Sequence, residues 1–413
     1  METAWLARRL PGLRVLRHTH YARALSSRFC ASLAWQMFTV AVGWQVYALT
    51  RDPLALGLVG LSEFLPFVTL VLIGGHAADR LDRRTVLIVA WSVDALCIGA
   101  LLAITVAGLH AVWPVYVTVA TYGAARAFWA PALQAVVPSL VPREEFPRAV
   151  AINSTLQQVA VIGGPAIGGA LFLVGPALVF GICCALFTLA AAMALQLPAH
   201  LPRTASGAPR GTTAHELMQG LRYIRRQHTL LGVITLDLFA VLFGGATALL
   251  PIFASDVLRT GPVGLGLLRS APGVGAALAA GLLSARPIER HSGAWMFGGV
   301  GLFGLGTLVF ALSGSLPWSI GALFLCGVGD MVSVNIRSIL VQVNTPDAIR
   351  GRVSAINMMF IGASNELGGF ESGVTARWFG AVRAAALGGA LTLLVVVGWM
   401  RLFPELRRLD RLH

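Results

Sequence analysis

Lysine is absent from this 413-residue chain, and all 31 basic residues are arginine. That bias reads as genome composition and carries no chemistry of its own. Charge as a whole is scarce. Charged residues make up 12% of the chain, where an ordinary soluble protein has roughly a quarter. A conventional water-soluble domain is therefore excluded. The five cysteines (Cys30, Cys97, Cys183, Cys184 and Cys326) all fall in apolar segments, with no metal-ligand spacing. That excludes a disulfide framework and a thiolate metal centre. No G-x-x-x-x-G-K-[ST] loop occurs, so ATP drive would need a separate subunit. Histidine is sparse in the apolar segments: His76 abuts a charged loop and His110 lies between two runs. An intramembrane serine enzyme would need a buried Ser–His pair, so no enzyme is expected. Neither a cofactor nor a metal is expected.

What is present is apolar length. Hydrophobic residues are 56% of the chain. Crossing a bilayer core takes about 20 apolar residues as a helix. Twelve such runs are present, at about 28–49, 55–77, 86–108, 112–136, 150–173, 176–197, 230–253, 263–285, 294–313, 317–341, 353–378 and 381–402. Backbone groups in lipid must pair internally, and the alternation of barrel strands is missing, so the runs are expected to be helices. Of the 31 arginines, 24 fall in the N-terminal tail, the C-terminus and the loops after even-numbered runs. The opposite loops hold three, Arg51, Arg259 and Arg383. The positive-inside rule then puts both termini in the cytoplasm. It also accounts for the net charge of +13 without a nucleic-acid partner. The apolar run after the basic N-terminus is too long for a signal-peptide core, so no cleavable signal is expected.

Residues 198–229 form the one long polar stretch. They divide the chain into an N-terminal six-helix bundle (1–197), a cytoplasmic linker (198–229) and a C-terminal six-helix bundle (230–413). The halves repeat. At a shift of 204, Pro142, Arg148, Ala151, Ile152 and Asn153 match Pro346, Arg352, Ala355, Ile356 and Asn357. The same shift pairs Gly123, Gly164 and Gly169 with Gly327, Gly368 and Gly373. At a shift of 206, Gly60, Pro66, Gly75, Arg80 and Arg84 match Gly266, Pro272, Gly281, Arg286 and Arg290. Two parallel six-span repeats are the layout of a secondary transporter that rocks about a midplane site.

Three stretches carry a family resemblance. Gly75, Asp79, Arg80, Arg83 and Arg84 give G-x-x-x-D-R-x-x-R-R between runs 2 and 3. This resembles the signature loop of the major facilitator superfamily, a cytoplasmic latch in that family. Gly164, Pro165, Gly168 and Gly169 in run 5 resemble the end of the superfamily's antiporter motif, although Ala160 stands where its leading glycine would fall. "RGRVSAIN", "GASNELGGFESGVTARWFG" and "LFPELRRLD" resemble the branch that contains the enterobactin (siderophore) exporter. The resemblance implies an all-α membrane protein with twelve transmembrane helices in two pseudo-symmetric bundles. It implies a proton-driven exporter of a small organic molecule, siderophore-like or drug-like, in a bacterial inner membrane, working as a monomer with lipid around it. An uptake symporter, or a transport-inactive receptor on the same fold, is the alternative.

A charge at the bilayer centre costs about 2.5–3.5 kcal/mol on insertion scales, so the few present single themselves out. In this family runs 1, 4, 7 and 10 line the cavity. The resemblance thus makes Arg126, Asp237 and Asp330 the substrate or proton-coupling candidates, with Trp35 and Trp129 stacking on an aromatic substrate. Arg126 would bind an anionic group, or pair with Asp330 when the site is empty. Glu63 and Arg377 would form an outer gate. Asn365, Glu366 and Glu371 make run 11 unusually polar. The 204 shift lays Arg126 on Asp330, and the 206 shift lays Glu63 on Arg269.

Overall fold

The computed structural model describes residues 15–109, 111–142, 144–199 and 214–410. The chain before residue 198 forms six long helices: α1 (Thr19–Thr50), α2 (Pro53–Arg80), α3 (Arg83–Val106), α4 (Trp113–Leu140), α5 (Phe146–Leu171) and α6 (Pro176–Ala194). A shorter α7 (Ala214–Arg226) precedes α8 (His228–Gly244). Then come α9 (Gly261–Ala285), α10 (Ser292–Leu312), α11 (Leu316–Val343), α12 (Asp347–Phe379), α13 (Ala381–Leu402) and the four-residue α14 (Pro404–Arg407). Proline at the first turn starts α4, α5, α6, α9 and α11, where its missing N–H costs nothing. Eight helices are long and apolar enough to cross a membrane on their described residues alone. Helices α1, α4, α5 and α12, of 26 to 33 residues, complete the twelve. In α1, α5 and α12 polar groups such as Arg28, Gln157 and Glu366 dilute the apolar surface.

Run 7 is not the single helix that its hydropathy suggests. The α-helix stops at Gly245, where φ is −69° and ψ is 43°, outside the helical well. The chain continues as a 3-10 turn (Ala246–Leu249), one α turn (Leu250–Ile252) and a π turn (Phe253–Val257). Pro251 lies inside this irregular segment and cannot donate a backbone hydrogen bond there.

Two compact units are defined by their internal contacts. The first holds 1–41 and 65–211, the second 42–64 and 212–413. The second unit thus takes in the end of α1 and the start of α2. It also takes in α7, so half of the polar stretch belongs to a core. Ile224 of α7 is buried with Leu230, Ile234, Val341, Val353 and Ile356. Arg352 donates to Gln219 Oε1 at 2.9 Å, and Tyr223 donates to the Asn344 carbonyl at 2.9 Å.

Inside each unit the repeat appears as the same contact pattern. In the first, α3 packs on α4 and α6. In the second, their counterparts α10, α11 and α13 do the same. Ser27 Oγ on α1 donates to the Ala190 carbonyl of α6 at 3.1 Å, and Thr392 Oγ1 on α13 donates to the Ala240 carbonyl of α8 at 3.1 Å. A Cβ on Gly164 of α5 would stand 2.5 Å from Gln36 Cβ of α1. A Cβ on Gly368 of α12 would stand 2.9 Å from the carbonyls of Val241 and Leu242 of α8. Gln36 and Leu242 are themselves related by the 206 shift. Lipid supplies little hydrophobic drive between helices, so such backbone-level contacts carry the packing.

Candidate functional site

In the first unit an aromatic wall is built on α1 and α4. Trp35 stacks on Tyr122, with ring centroids 3.3 Å apart and planes 4° from parallel. Trp129 and Phe187 each meet Tyr122 edge-on at 6.4 Å. Tyr122 and Trp129 are seven residues apart, two turns of one α4 face. Arg126 lies between them in sequence, its guanidinium 5.0 Å from the centre of the Phe67 ring. The Trp129 Nε1 hydrogen is buried with no protein acceptor among the described residues. Arg126, Trp129 and Trp35 therefore share one neighbourhood, with Tyr122 and Phe67 added to it. Planar rings and one guanidinium suit a flat, electron-rich or anionic group.

In the second unit the charges pair with each other. Asp237 of α8 and Arg337 of α11 form an ion pair, 6% and 4% exposed as residues. Asp330 lies within electrostatic reach of both. Asp330 and Arg337 are seven apart, so they share one face of α11. The group holds two carboxylates and one guanidinium. Two of its members come from the sequence; Arg337 as the partner of Asp237 does not. The available signal was the scarcity of membrane charge: a buried acid costs less beside a cation, and Arg337 is a cation two turns from Asp330.

A second acid–base group lies towards the α1–α2 turn. Glu63 of α2 is 8% exposed, and Arg269 of α9 is within electrostatic reach of Glu63 and of Glu366 on α12. The turn itself carries further ties. Tyr47 donates to Asp256 Oδ2 at 2.5 Å, and Arg51 pairs with Asp256 Oδ1 at 3.0 Å. Arg377 pairs with Asp52 at 3.5 Å. Glu63 and Arg377, expected together, are each placed beside another partner, Arg269 and Asp52. The charge pattern alone offered no way to choose among these pairings.

The other sequence candidates are distributed as follows. Gly164, Pro165, Gly168 and Gly169 are buried on α5, and Gly164 and Gly168 meet α1 at Gln36 and Met37. In the first turn of α3, Arg84 donates to the Leu195 carbonyl at the end of α6, at 2.6 Å. Gly75 is partly buried, Arg80 is exposed and Arg83 partly buried, while the side chain of Asp79 lies outside the described residues. On α12, Asn365 is exposed and bonds back to the Ile361 carbonyl at 2.8 Å. Glu371 accepts from Thr375 Oγ1 at 2.7 Å. Asp94 of α3 is 2% exposed, and neither carboxylate oxygen has a partner among the described residues.

Comparison with known proteins fits this architecture. Residues 12–412 match the major facilitator family described as transmembrane secretion effector. An uncharacterised major-facilitator-type transporter of Bacillus subtilis, YfiS, is 26% identical over 393 residues, covering 90% of each chain. The enterobactin exporter EntS of Escherichia coli is 27% identical over 413 residues, covering 95% of this chain and 93% of the relative. Among solved structures, the nucleoside transporter NupG superposes with a TM-score of 0.72 at 14% identity, over 93% of this chain and 99% of that one. A bacterial homologue of the lysosomal transporter Spinster, inward-facing and occupied, gives 0.71 at 14% identity, over 94% and 96%. The twelve helices, the repeated contact pattern and a family match over nearly the whole chain lead to one conclusion: this is a membrane transporter of the major facilitator superfamily, in its transmembrane secretion effector family.

Proposed function

We propose that the protein exports a small organic molecule across a bacterial inner membrane, with both termini in the cytoplasm, in exchange for protons. The observation that carries the proton half is the Asp237–Arg337 pair with Asp330 beside it. Arg337 balances one carboxylate. The second leaves a net negative charge among membrane helices, where a proton is the simplest means of cancelling it. One charge moving through about 150 mV releases roughly 3.5 kcal/mol, enough for a gradient of two to three powers of ten.

The wall of Trp35, Tyr122, Trp129 and Phe67 around Arg126 supports an aromatic substrate with acidic groups, such as a catecholate siderophore. The enterobactin exporter among the relatives points the same way. Export is favoured over uptake by that relative and by the G-P-x-x-G-G stretch of α5. The Asp79–Arg84 segment is read as the latch of the cytoplasmic face.

The test is transport into inverted membrane vesicles under an imposed proton gradient, with catecholate siderophores and cationic dyes as parallel substrates. Gradient-dependent accumulation of the catecholate is expected. Asp330→Asn should abolish accumulation against a gradient while the purified variant stays monodisperse and folded. Accumulation only in right-side-out vesicles would replace export by uptake symport. Saturable binding without movement in either orientation would leave a receptor of this fold.

A further inference from the structure

We propose that the outward face of α7, with the α13–α14 corner beside it, is a docking surface for anionic phospholipid headgroups, and that a bound headgroup holds α7 against α12. The inference takes from the reading above only that this end of the chain faces the cytoplasm; it needs neither a substrate nor a proton. α7 has two faces. Gly220 and Ile224 are buried and turn to α12, where a Cβ on Gly220 would stand 2.7 Å from Ile356 Cδ1. Met218, Arg222, Arg225 and Arg226 fall on the opposite side at helical spacing, and all four are exposed. Only Gln227 separates α7 from the membrane helix α8, so these arginines stand within about two turns of the bilayer boundary. The α13–α14 corner adds Arg401, Arg407 and Arg408, also exposed. His228 packs on Phe403 with ring centroids 5.8 Å apart, and a cavity of about 250 Å³ lined by His228, Thr229, Phe403 and Glu405 lies between the two corners.

Charge and composition select the occupant. None of the six arginines is tied to an acid by an ion pair among the described residues. The described acids of this surface are Glu405 and Asp410, and the Asp410 carboxylate already accepts the His291 N–H at 2.9 Å. Arg222, Arg225 and Arg226 stand three and four residues apart, so they repel one another along the helix, and an anion between them relieves that repulsion. A guanidinium meets a phosphate through two parallel hydrogen bonds. Positive-inside topology requires only the sign of these residues; it does not require them on one face of a helix docked by the other. A soluble polyanion would also satisfy arginines, but the same surface exposes Met218 by 49% and Leu402 by 64%. Apolar groups set among arginines match the glycerol and acyl region directly beneath a lipid phosphate. A headgroup held by both corners pins the end of α7, and with it the core that Ile224 shares with Val353 and Ile356 of α12.

The test is hydrogen–deuterium exchange of residues 214–227 in the full-length protein, reconstituted in nanodiscs of phosphatidylcholine alone or mixed with phosphatidylglycerol. Phosphatidylglycerol should slow exchange by about fivefold for each arginine engaged, and added salt should reverse the effect. The triple variant Arg222→Gln, Arg225→Gln, Arg226→Gln should exchange alike in both lipids. The triple Arg222→Lys, Arg225→Lys, Arg226→Lys should keep most of the protection, because it keeps the charge; this separates headgroup binding from any loss of helix packing. Arg383→Gln, at the other end of α13, should change nothing. Equal exchange in the two lipids for the parent protein overturns the proposal without any variant. So does protection that survives in the glutamine triple or vanishes in the lysine triple. Protection reproduced in phosphatidylcholine by inorganic phosphate or by an RNA oligonucleotide also overturns it, and makes the surface one for soluble anions. None of these outcomes alters the transport assay, so export and lipid docking fail separately.

Discussion

The two units share a scaffold and differ in what they put inside it. Glycine contacts are kept: Gly164 on Gln36 in the first unit has its counterpart in Gly368 on Leu242 in the second. Interior chemistry is not kept. The first unit stacks Trp35, Tyr122, Trp129 and Phe187 near Arg126. The second sets Asp237, Arg337 and Asp330 together, and gathers Glu63, Arg269 and Glu366 as another group. The repeat relation even inverts charge, Arg126 lying on Asp330 and Glu63 on Arg269. At Gly164 and Gly368 the packing tolerates almost no change, because an added Cβ would collide with the facing helix. Side-chain chemistry is not held to that standard, so a duplicated bundle can diverge; under the proposed function, one half would turn towards a substrate and the other towards protons.

The comparison can be broken most forcefully at the buried pair. Arg337→Ala would strand Asp237 without its cation and should cost about 3–5 kcal/mol of stability, read from unfolding of the purified protein in detergent. A variant as stable as the parent would remove the idea that the second unit is organised by charge. Next in size are the matched glycines. Gly164→Ala and Gly368→Ala should each lose about 1–3 kcal/mol by forcing two helices apart, and by similar amounts. A large loss in only one half would show that the repeat is not preserved in packing. The smallest effect concerns two turns of the second unit. Arg51 and Arg259 both sit in the left-handed region, with φ of 50° and 52°. Arg259→Gly should relieve strain and gain about 1 kcal/mol. Arg51→Gly gains the same relief but gives up the exposed pair with Asp256, worth at most about 1 kcal/mol, and should come out near neutral. Melting temperatures of the two variants side by side decide the order.

Much of the fold was legible in the residues. Apolar runs end near the observed helices, prolines stand at several helix starts, and the 204 shift relates Gly164 to Gly368, both of which meet a facing helix. Span 7 was legible only in part, because hydropathy cannot register that Gly245 leaves the helical well while every neighbour stays apolar. The linker shows the same limit in reverse. Residues 214–226 look polar, yet Gly220 and Ile224 face α12 and are buried. In the candidate site, residue types were found more readily than partners. Arg126, Trp129 and Trp35 fall in one neighbourhood, but Tyr122, which binds the two tryptophans together, carried no charge to draw notice. Position near the outer ends of two neighbouring spans suggests Glu63 with Arg377, whereas the structure puts Arg269 within reach of Glu63 and pairs Arg377 with Asp52.

Sequence by itself determined where the chain is apolar enough to form membrane helices, where glycine permits close approach, and that the pattern is written twice. Those are local properties: a helix in lipid satisfies its own backbone, so its existence depends on residues within a few turns. Only the tertiary structure decided which charges meet. Asp237 and Arg337 are a hundred positions apart, and Glu63 reaches Arg269 and Glu366 from a different stretch of chain altogether. Their pairing depends on which helix faces touch and at what height, and no local pattern along the chain fixes that.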